Sequence, residues 1–310
     1  MTLPTLLEGR LALPLIGSPM FIISQPALVM AQCRAGIVGA FPSLNARPSG
    51  LFEAWLQQLQ AELTDADAPF AVNLIVHRTN ARLEEDLALC VHYKVPIVIT
   101  SLGAREDVNQ AIHSYGGIVL HDVIDDRFAR KAIEKGADGL IAVAAGAGGH
   151  AGTLSPFALI QEIRQWFDGP LALSGSIATG RAIAAARMMG ADLGYMGSPF
   201  IATTDANADP AYKQMIVDSH AADIVYSDVF TGVNGNYLRP SIVASGLDPD
   251  ALPKAKDMDF AAMTGGDKKA WRDVWGCGQG IGAVDKVQPT ADFIAGLKAD
   301  YRAAIAGFTL

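Results

Sequence analysis

The residues that decide the fold are Gly136–Gly152, which read GADGLIAVAAGAGGHAG. The apolar run Gly139–Ala145 predicts a buried strand, and it opens into a loop with four glycines and one imidazole, that of His150. Glycines let the backbone turn sharply and approach a flat or phosphorylated ligand closely. A histidine just past the carboxyl end of a strand stands where α/β enzymes place their chemistry. The structural alternative is a tight turn in which His150 only caps the backbone.

Around this stretch, apolar runs alternate with helical segments. The predicted strands are Leu13–Pro19, Gly36–Phe41, Phe70–Val76, Pro96–Ser101, Gly117–Asp122, Asp138–Ala145, Pro170–Ser174 and Asp192–Ser198. The predicted helices between them are Pro26–Arg34, Ser49–Leu63, Asn80–Tyr93, Ala104–Ser114, Arg127–Lys135, Pro156–Trp166 and Thr179–Met189. This α/β rhythm is typical of a closed (β/α)8 TIM barrel, and an open doubly wound sheet is the alternative.

The regular alternation of predicted strands and helices stops after the eighth predicted strand. We therefore predict a barrel over residues 1–204, completed by residues 271–310, with a partly helical cap or substrate region over 205–270. A final helix, Ala291–Ile305, is expected to complete the outer ring of the barrel.

Composition narrows the function classes. The chain has 310 residues, half of them hydrophobic, and a net charge of −8, which argues against a nucleic-acid or anionic-membrane partner. No apolar run of about 18 residues predicts a membrane span, and the first residues, with Glu8 and Arg10, do not make a convincing signal peptide. The isolated Cys33, Cys90 and Cys277 are typical of a reduced, cytoplasmic protein.

The seventh and eighth predicted strands end in Ser174-Gly175-Ser176 and Gly197-Ser198. Glycines at such ends free backbone N–H groups where barrel enzymes commonly bind a phosphate, although both segments are also compatible with ordinary turns. No GxxxxGK[ST] loop and no HExxH motif occurs, so neither NTP cleavage nor metal-assisted hydrolysis is indicated. Of the other histidines, His77 and His121 follow strand ends and are expected near the barrel mouth.

Several of these motifs together resemble the nitronate monooxygenase family, formerly called 2-nitropropane dioxygenases. The resemblance rests on the glycine-histidine loop, SGSIATGRAIAAARMMGAD, YMGSPFIAT, the opening PLIGSPM, AVNLIV and the late GQGIG. It extends over the barrel nearly end to end. It is less specific for the reaction, because flavin-dependent enoyl-ACP reductases and NADH:quinone reductases share the pattern.

The resemblance implies non-covalent FMN in the barrel mouth. Its phosphate would be held by Gly175, Ser176, Gly197 and Ser198. The remaining cofactor-binding residues that it implies are Met20, Asn73, His121, Gly148, Gly149, Ser174, Gln279 and Gly280. His150 would be the catalytic group, acting as a base toward a nitroalkane or hydrogen-bonding the nitronate.

The implied reaction oxidises an alkyl nitronate with O2 to a carbonyl compound and nitrite. The alternative is an FMN-dependent reductase that uses NAD(P)H toward a quinone or an enoyl thioester; a flavin-binding protein without catalysis is less favoured because His150 lies on an accessible loop. A monomer and a homodimer are both compatible with the sequence.

The chain also departs from many relatives at three positions. Gly146 stands where many have glutamate, His121 where many have a lysine that contacts flavin, and Ser198-Pro199-Phe200 lacks an arginine. In the cap, Tyr226, Asn234, Asn236 and Tyr237 are candidates for substrate contact that no motif places.

Overall fold

The computed structural model describes residues 3–48, 50–253 and 274–307. Its centre is a parallel sheet of eight strands in the order β1-β9-β8-β6-β5-β4-β3-β2. The barrel strands are β1 (Leu15–Gly17), β2 (Gly39–Pro42), β3 (Phe70–Ile75), β4 (Ile97–Ser101), β5 (Ile118–Val123), β6 (Gly139–Val143), β8 (Leu171–Ser174) and β9 (Leu193–Met196). A parallel bridge between Ile16 and Val38 joins β1 to β2 and closes the sheet on itself. The (β/α)8 barrel that the sequence predicts is therefore confirmed.

Helices on the outside connect the strands. They are α1 (Pro26–Arg34), α2 (Leu51–Glu62), α3 (Leu83–His92), α4 (Glu106–His113), α5 (Asp126–Glu134), α6 (Pro156–Arg164), α7 (Gly180–Met188), α8 (Ser198–Ile201), α9 (Pro210–Asp218), α10 (Arg239–Ala244) and α11 (Thr290–Ala306). Local sequence explains several starts: the Asp125 carboxylate accepts a hydrogen bond from the Phe128 N–H, and the Thr179 hydroxyl accepts one from Ala182. Within the described parts of the chain, none of the helices combines the length and apolar character that a membrane span needs.

The barrel interior is layered. Its lower layers are apolar and include Ile16, Ala71, Ile99 and Leu120, and Leu7 from the N-terminal segment packs into the same cluster. Alternate side chains of a strand face the same side, so the last inward positions form an upper layer at the carboxyl ends. This layer is mostly polar: it contains Ser18, Asn73, Ser101, Asp122, Ser174 and Tyr195, with Pro42 and Val143 as its apolar members. A polar layer on an apolar core marks this face of the barrel as the place for a ligand.

The region after β9 differs from the prediction in one respect. It contains helices, as expected, but also a hairpin of β10 (Ile224–Ser227) and β11 (Gly235–Leu238). Strand β11 pairs antiparallel with β7 (Gly149–His150), the central part of the glycine loop. Residues 254–270 of the predicted cap, and residues 1–2, 49, 271–273 and 308–310 of the predicted barrel, lie outside the described residues.

Candidate active site

A cavity of about 850 Å³ opens at the carboxyl ends of the strands, where TIM-barrel enzymes carry their active sites. The polar upper layer forms its floor. Of the thirteen site residues that the sequence predicts, all but Gln279 line it. Gln279 is exposed, although its backbone N–H donates to the Gly146 carbonyl over 2.9 Å.

One end of the cavity is lined by glycines that touch one another. A Cβ on Gly148 would lie 2.8 Å from the Gly278 nitrogen, and a Cβ on Gly175 would lie 2.7 Å from the Ala145 carbonyl oxygen. The Gly278 N–H also donates to Ser198 Oγ over 2.8 Å. Glycine is therefore required here by close backbone approach, and we call this part the glycine-lined end (Gly146–Gly149, Ser174–Ser176, Gly197–Ser198 and Gly276–Gly280).

Backbone strain is concentrated near the same face. Ser176 has a φ of +55°, next to Gly175 at +133°, and Leu102 at the end of β4 has a φ of +61°. Residues other than glycine adopt this left-handed region at a cost of about 1–3 kcal/mol and do so most often at functional sites. Successive N–H groups in such turns form concavities that bind anions. With the hydroxyls of Ser174, Ser176 and Ser198, the donors suit a phosphate group.

His150 belongs to β7 and is held by the hairpin. Its Nε2 lies 3.1 Å from the Thr231 hydroxyl oxygen, and that hydroxyl donates its proton to the Val233 carbonyl over 3.0 Å. We assign the ring proton from this arrangement: with its own proton donated to Val233, the hydroxyl accepts from Nε2–H, which makes Nδ1 the basic nitrogen. Burial lowers the pKa of the His150 imidazole to about 4, so the ring is neutral at pH 7.

The hairpin also fixes the backbone on both sides of His150. The Asn236 amide donates to the Ala147 carbonyl over 2.6 Å, the Tyr226 hydroxyl donates to the Ala151 carbonyl over 3.1 Å, and the Ala151 N–H donates to the Asn234 carbonyl over 3.2 Å. Tyr226 and Asn234 also line the cavity, whereas Tyr237 is fully buried. The four cap residues singled out in the sequence thus have different positions, three of them in contact with the loop.

The floor contains a carboxyl group that sequence reasoning missed. The Asn73 amide donates to Ser101 Oγ over 2.8 Å, and Ser101 donates to Asp122 Oδ2 over 2.6 Å. The other oxygen, Asp122 Oδ1, is buried with no hydrogen-bond partner in the described residues. Burial raises the pKa of Asp122 to about 6, despite the opposing hydrogen bond from Ser101.

His121, which the sequence predicts at the end of β5, lines the cavity, but its side chain contacts Thr100 on the neighbouring strand β4. It shares the strand parity of Val119 and Val123, which pack between the barrel and its helices. Its Nδ1 lies 2.6 Å from the Thr100 hydroxyl oxygen, and burial lowers its pKa to about 4. The inward residue of this strand end is its neighbour, Asp122.

Two cations, one histidine and four apolar side chains rim other parts of the cavity. Arg47, His77 and Lys131 line it, together with the apolar residues Phe21, Leu44, Ile124 and Phe128. We call these seven residues the cation-rimmed end. Asp122 is the one acidic residue among the described residues that line the whole cavity, although the chain carries a net charge of −8.

The cysteine thiols are poor candidates for this chemistry, although the backbone of Cys277 belongs to the glycine-lined end. All three are buried and reduced, and burial raises the pKa of the Cys33 and Cys277 thiols to about 12 and that of Cys90 further. A protonated, buried thiol is a poor nucleophile. Cys33 and Cys90 pack in the core, as the sequence indicated.

Comparison with known proteins gives a consistent result. The family model described as nitronate monooxygenase matches residues 79–300. A nitronate monooxygenase of Paraburkholderia phytofirmans is 25% identical over 282 residues, which cover 76% of each chain. A (3aS,4S,5R,7aS)-5-hydroxy-7a-methyl-1-oxo-octahydro-1H-indene-4-carboxyl-CoA dehydrogenase of Rhodococcus jostii is 25% identical, covering 81% of this chain and 71% of that protein.

Among solved structures, the nitroalkane oxidase of Streptomyces ansochromogenes superposes with a TM-score of 0.83 at 22% identity. The match covers 98% of this chain and all of that one, which supports the fold. Because the family model matches more than two thirds of the sequence, this chain belongs to the nitronate monooxygenase family and is an oxidoreductase.

Proposed function

We propose that the protein oxidises alkyl nitronates or nitroalkanes with FMN and O2, giving a carbonyl compound and nitrite. The observation that carries the proposal is His150: a half-buried, neutral imidazole on a glycine loop that lines the cavity beside glycines in close backbone contact.

The glycine-lined end fits FMN by its shape and its donors. The serines and glycines of Ser174–Ser176 and Gly197–Ser198 would hold the phosphate, because hydroxyl and backbone N–H groups at strand ends suit it. Gly148 and Gly149, where a side chain would fill the space, would lie against the flat ring, with Met20, Asn73 and Gly280 around it. When bound, FMN supplies the electron chemistry, while the protein binds, orients and excludes side reactions.

His150 would act as the base. Since Nε2–H is donated to Thr231, Nδ1 is the atom that accepts a proton, which suits removal of the α-proton of a neutral nitroalkane. Hydrogen bonding from Nδ1 to an existing nitronate would require a protonated ring, which burial disfavours. Arg47 and Lys131, which also line the cavity, would attract an anionic substrate.

A second candidate is an oxidoreductase that acts on an acyl or enoyl thioester with NAD(P)H. The Rhodococcus relative is named for a coenzyme A thioester. The observation that favours this candidate is the cation-rimmed end, because a small nitronate needs few cations whereas a phosphate-bearing substrate needs several.

The test is the visible spectrum of the purified protein, recorded without oxygen before and after an alkyl nitronate is added. A flavin band that bleaches or shifts with nitronate supports the proposed reaction. A flavin band that does not change with nitronate but bleaches with NADH or NADPH favours the second candidate. If the protein shows no flavin band even after incubation with FMN, both candidates are wrong.

A further inference from the structure

A second depression lies beside the cavity, on the surface of α5. It is lined by Arg127, Phe128, Arg130, Lys131, Glu134 and Lys135. Phe128 and Lys131 belong to both, so the depression continues the cavity outward. We call it the α5 groove. Four cations and one carboxylate face it, in a protein with a net charge of −8.

Two of the four cations already have partners. Arg130 pairs with Asp126 over 2.7 Å and lies over the Trp166 ring, and Lys135 lies 3.8 Å from Glu106. Arg127 and Lys131 have no ion-pair partner in the part of the chain that the structure describes, and both are exposed. They are four residues apart on α5, so their side chains are neighbours on one face of the helix.

Apolar surface lies next to these two cations. Ile124 is 44% exposed and Phe128 is 41% exposed, and the Arg127 guanidinium lies 4.8 Å from the centre of the Phe128 ring. The two acids that precede Arg127 are both occupied: the Asp125 carboxylate caps the helix, and the Asp126 carboxylate pairs with Arg130. Two unpaired cations around an exposed ring suit a ligand that combines phosphate charge with a flat base.

We propose that the α5 groove is a phosphate subsite for the phosphorylated adenosine end of a long substrate or co-substrate. Its reacting end would lie in the cavity near His150; that placement rests on the proposed function, whereas binding in the groove does not. Coenzyme A thioesters and NADPH both carry this chemistry, with the extra phosphate on the 3′ or the 2′ position.

The experiment is calorimetric titration of the full chain, saturated with FMN, with three probes: adenosine 3′,5′-bisphosphate, adenosine 2′,5′-bisphosphate and adenosine. We expect at least one bisphosphate to bind roughly tenfold or more tightly than adenosine, and to weaken with added salt. The double variant Arg127→Glu/Lys131→Glu should abolish that preference. The matched control Arg302→Glu/Lys286→Glu, an equal charge change at exposed residues that line neither cavity, should keep it.

The relative affinities of the two bisphosphates distinguish coenzyme A from NADPH as the source of the phosphorylated adenosine. Preference for the 3′ compound indicates coenzyme A, preference for the 2′ compound indicates NADPH, and equal binding still supports the subsite. The proposal is wrong if neither bisphosphate binds more tightly than adenosine, or if both double variants lose the preference equally. Absence of flavin binding would count against the proposed function alone, because the titration can be repeated on the protein as purified.

Discussion

The glycine-lined end and the cation-rimmed end of the cavity present different kinds of atoms to a ligand. The glycine-lined end consists of backbone atoms and short side chains in direct contact, where a Cβ on Gly175 would meet the Ala145 carbonyl oxygen at 2.7 Å. The cation-rimmed end presents long side chains, including Arg47 and Lys131, that are exposed to solvent. Backbone positions cannot relax without moving whole strands, whereas long side chains adjust and are screened by salt. We therefore expect abrupt effects from substitutions at the first end and graded, salt-dependent effects at the second.

The largest effect is expected at His150, which directly follows the glycine-lined end in sequence. Replacing His150 with alanine should leave flavin bound but slow flavin reduction by nitroalkane by roughly 10²- to 10⁴-fold, since the base is lost. Stopped-flow absorbance measures this rate, and the exposed His220→Ala serves as control. An unchanged rate in the His150 variant would remove the imidazole from the mechanism.

The next effect tests the rigidity of the glycine-lined end. Gly175→Ala should weaken FMN binding by roughly 10- to 100-fold, because overpacking costs about 1–3 kcal/mol and the backbone there cannot yield. Gly116→Ala is the matched control: its φ of +87° is also positive, but nothing lies within 4 Å of the added Cβ. Fluorescence titration with FMN compares the two. Equal losses would mean that the clash has no role.

A smaller effect is expected from Asp122 on the cavity floor, and it should appear mainly in the pH dependence of kcat/KM. Above about pH 6 the Asp122 carboxyl is charged, and it should lower kcat/KM for an anionic nitronate by roughly tenfold. Asp122→Asn should remove that decline, which pH profiles of both proteins would show.

Stability gives an independent check on Asp122. Between about pH 4 and 6 the folded chain keeps a proton that the unfolded chain has lost, so this carboxyl makes the free energy of unfolding decrease as pH rises. His121 and His150, neutral when folded, act in the opposite sense between about pH 4 and 6.5. The difference between wild type and Asp122→Asn isolates the carboxyl. A difference that does not vary with pH would contradict its raised pKa.

The smallest effect concerns the orientation of the base. Thr231→Val removes the acceptor for His150 Nε2–H and should slow flavin reduction by roughly fivefold, the equivalent of about 1 kcal/mol for one hydrogen bond. Thr79→Val removes the comparable contact to His77, 2.8 Å long, at the cation-rimmed end and should leave the rate unchanged. Similar rates in both variants would show that Thr231 does not orient the base.

The sequence predicted the barrel well because its signal is local. Runs such as Phe70–Val76 and Pro96–Ser101 correspond to β3 and β4 with ends shifted by at most one residue. The glycine motifs predicted the residues at the mouth for the same reason: a glycine required by close approach is visible without knowing what approaches it. Their roles toward FMN stay predictions.

Other parts depended on contacts between distant residues. The pairing of β7 with β11 joins residues 149–150 to residues 235–236, and a two-residue strand of glycine and histidine has no periodicity to reveal it. Asp122 was passed over because GIVLHD does not show which of its last two side chains faces inward. The α5 groove was missed because its arginines and lysines resemble an ordinary solvated helix face in sequence.

The pairing of β11 with β7 has a consequence for protein engineering. Because the histidine loop is hydrogen-bonded into the same small sheet as the hairpin, the two segments form one transplantable unit. A chimera that takes only residues after β9 from a relative would pair a foreign β11 with the native loop and change the orientation of the imidazole. Exchanging residues 146–152 together with 224–238 keeps β7 and β11 from the same protein. An exchange of the cap should therefore include the glycine loop at the barrel mouth.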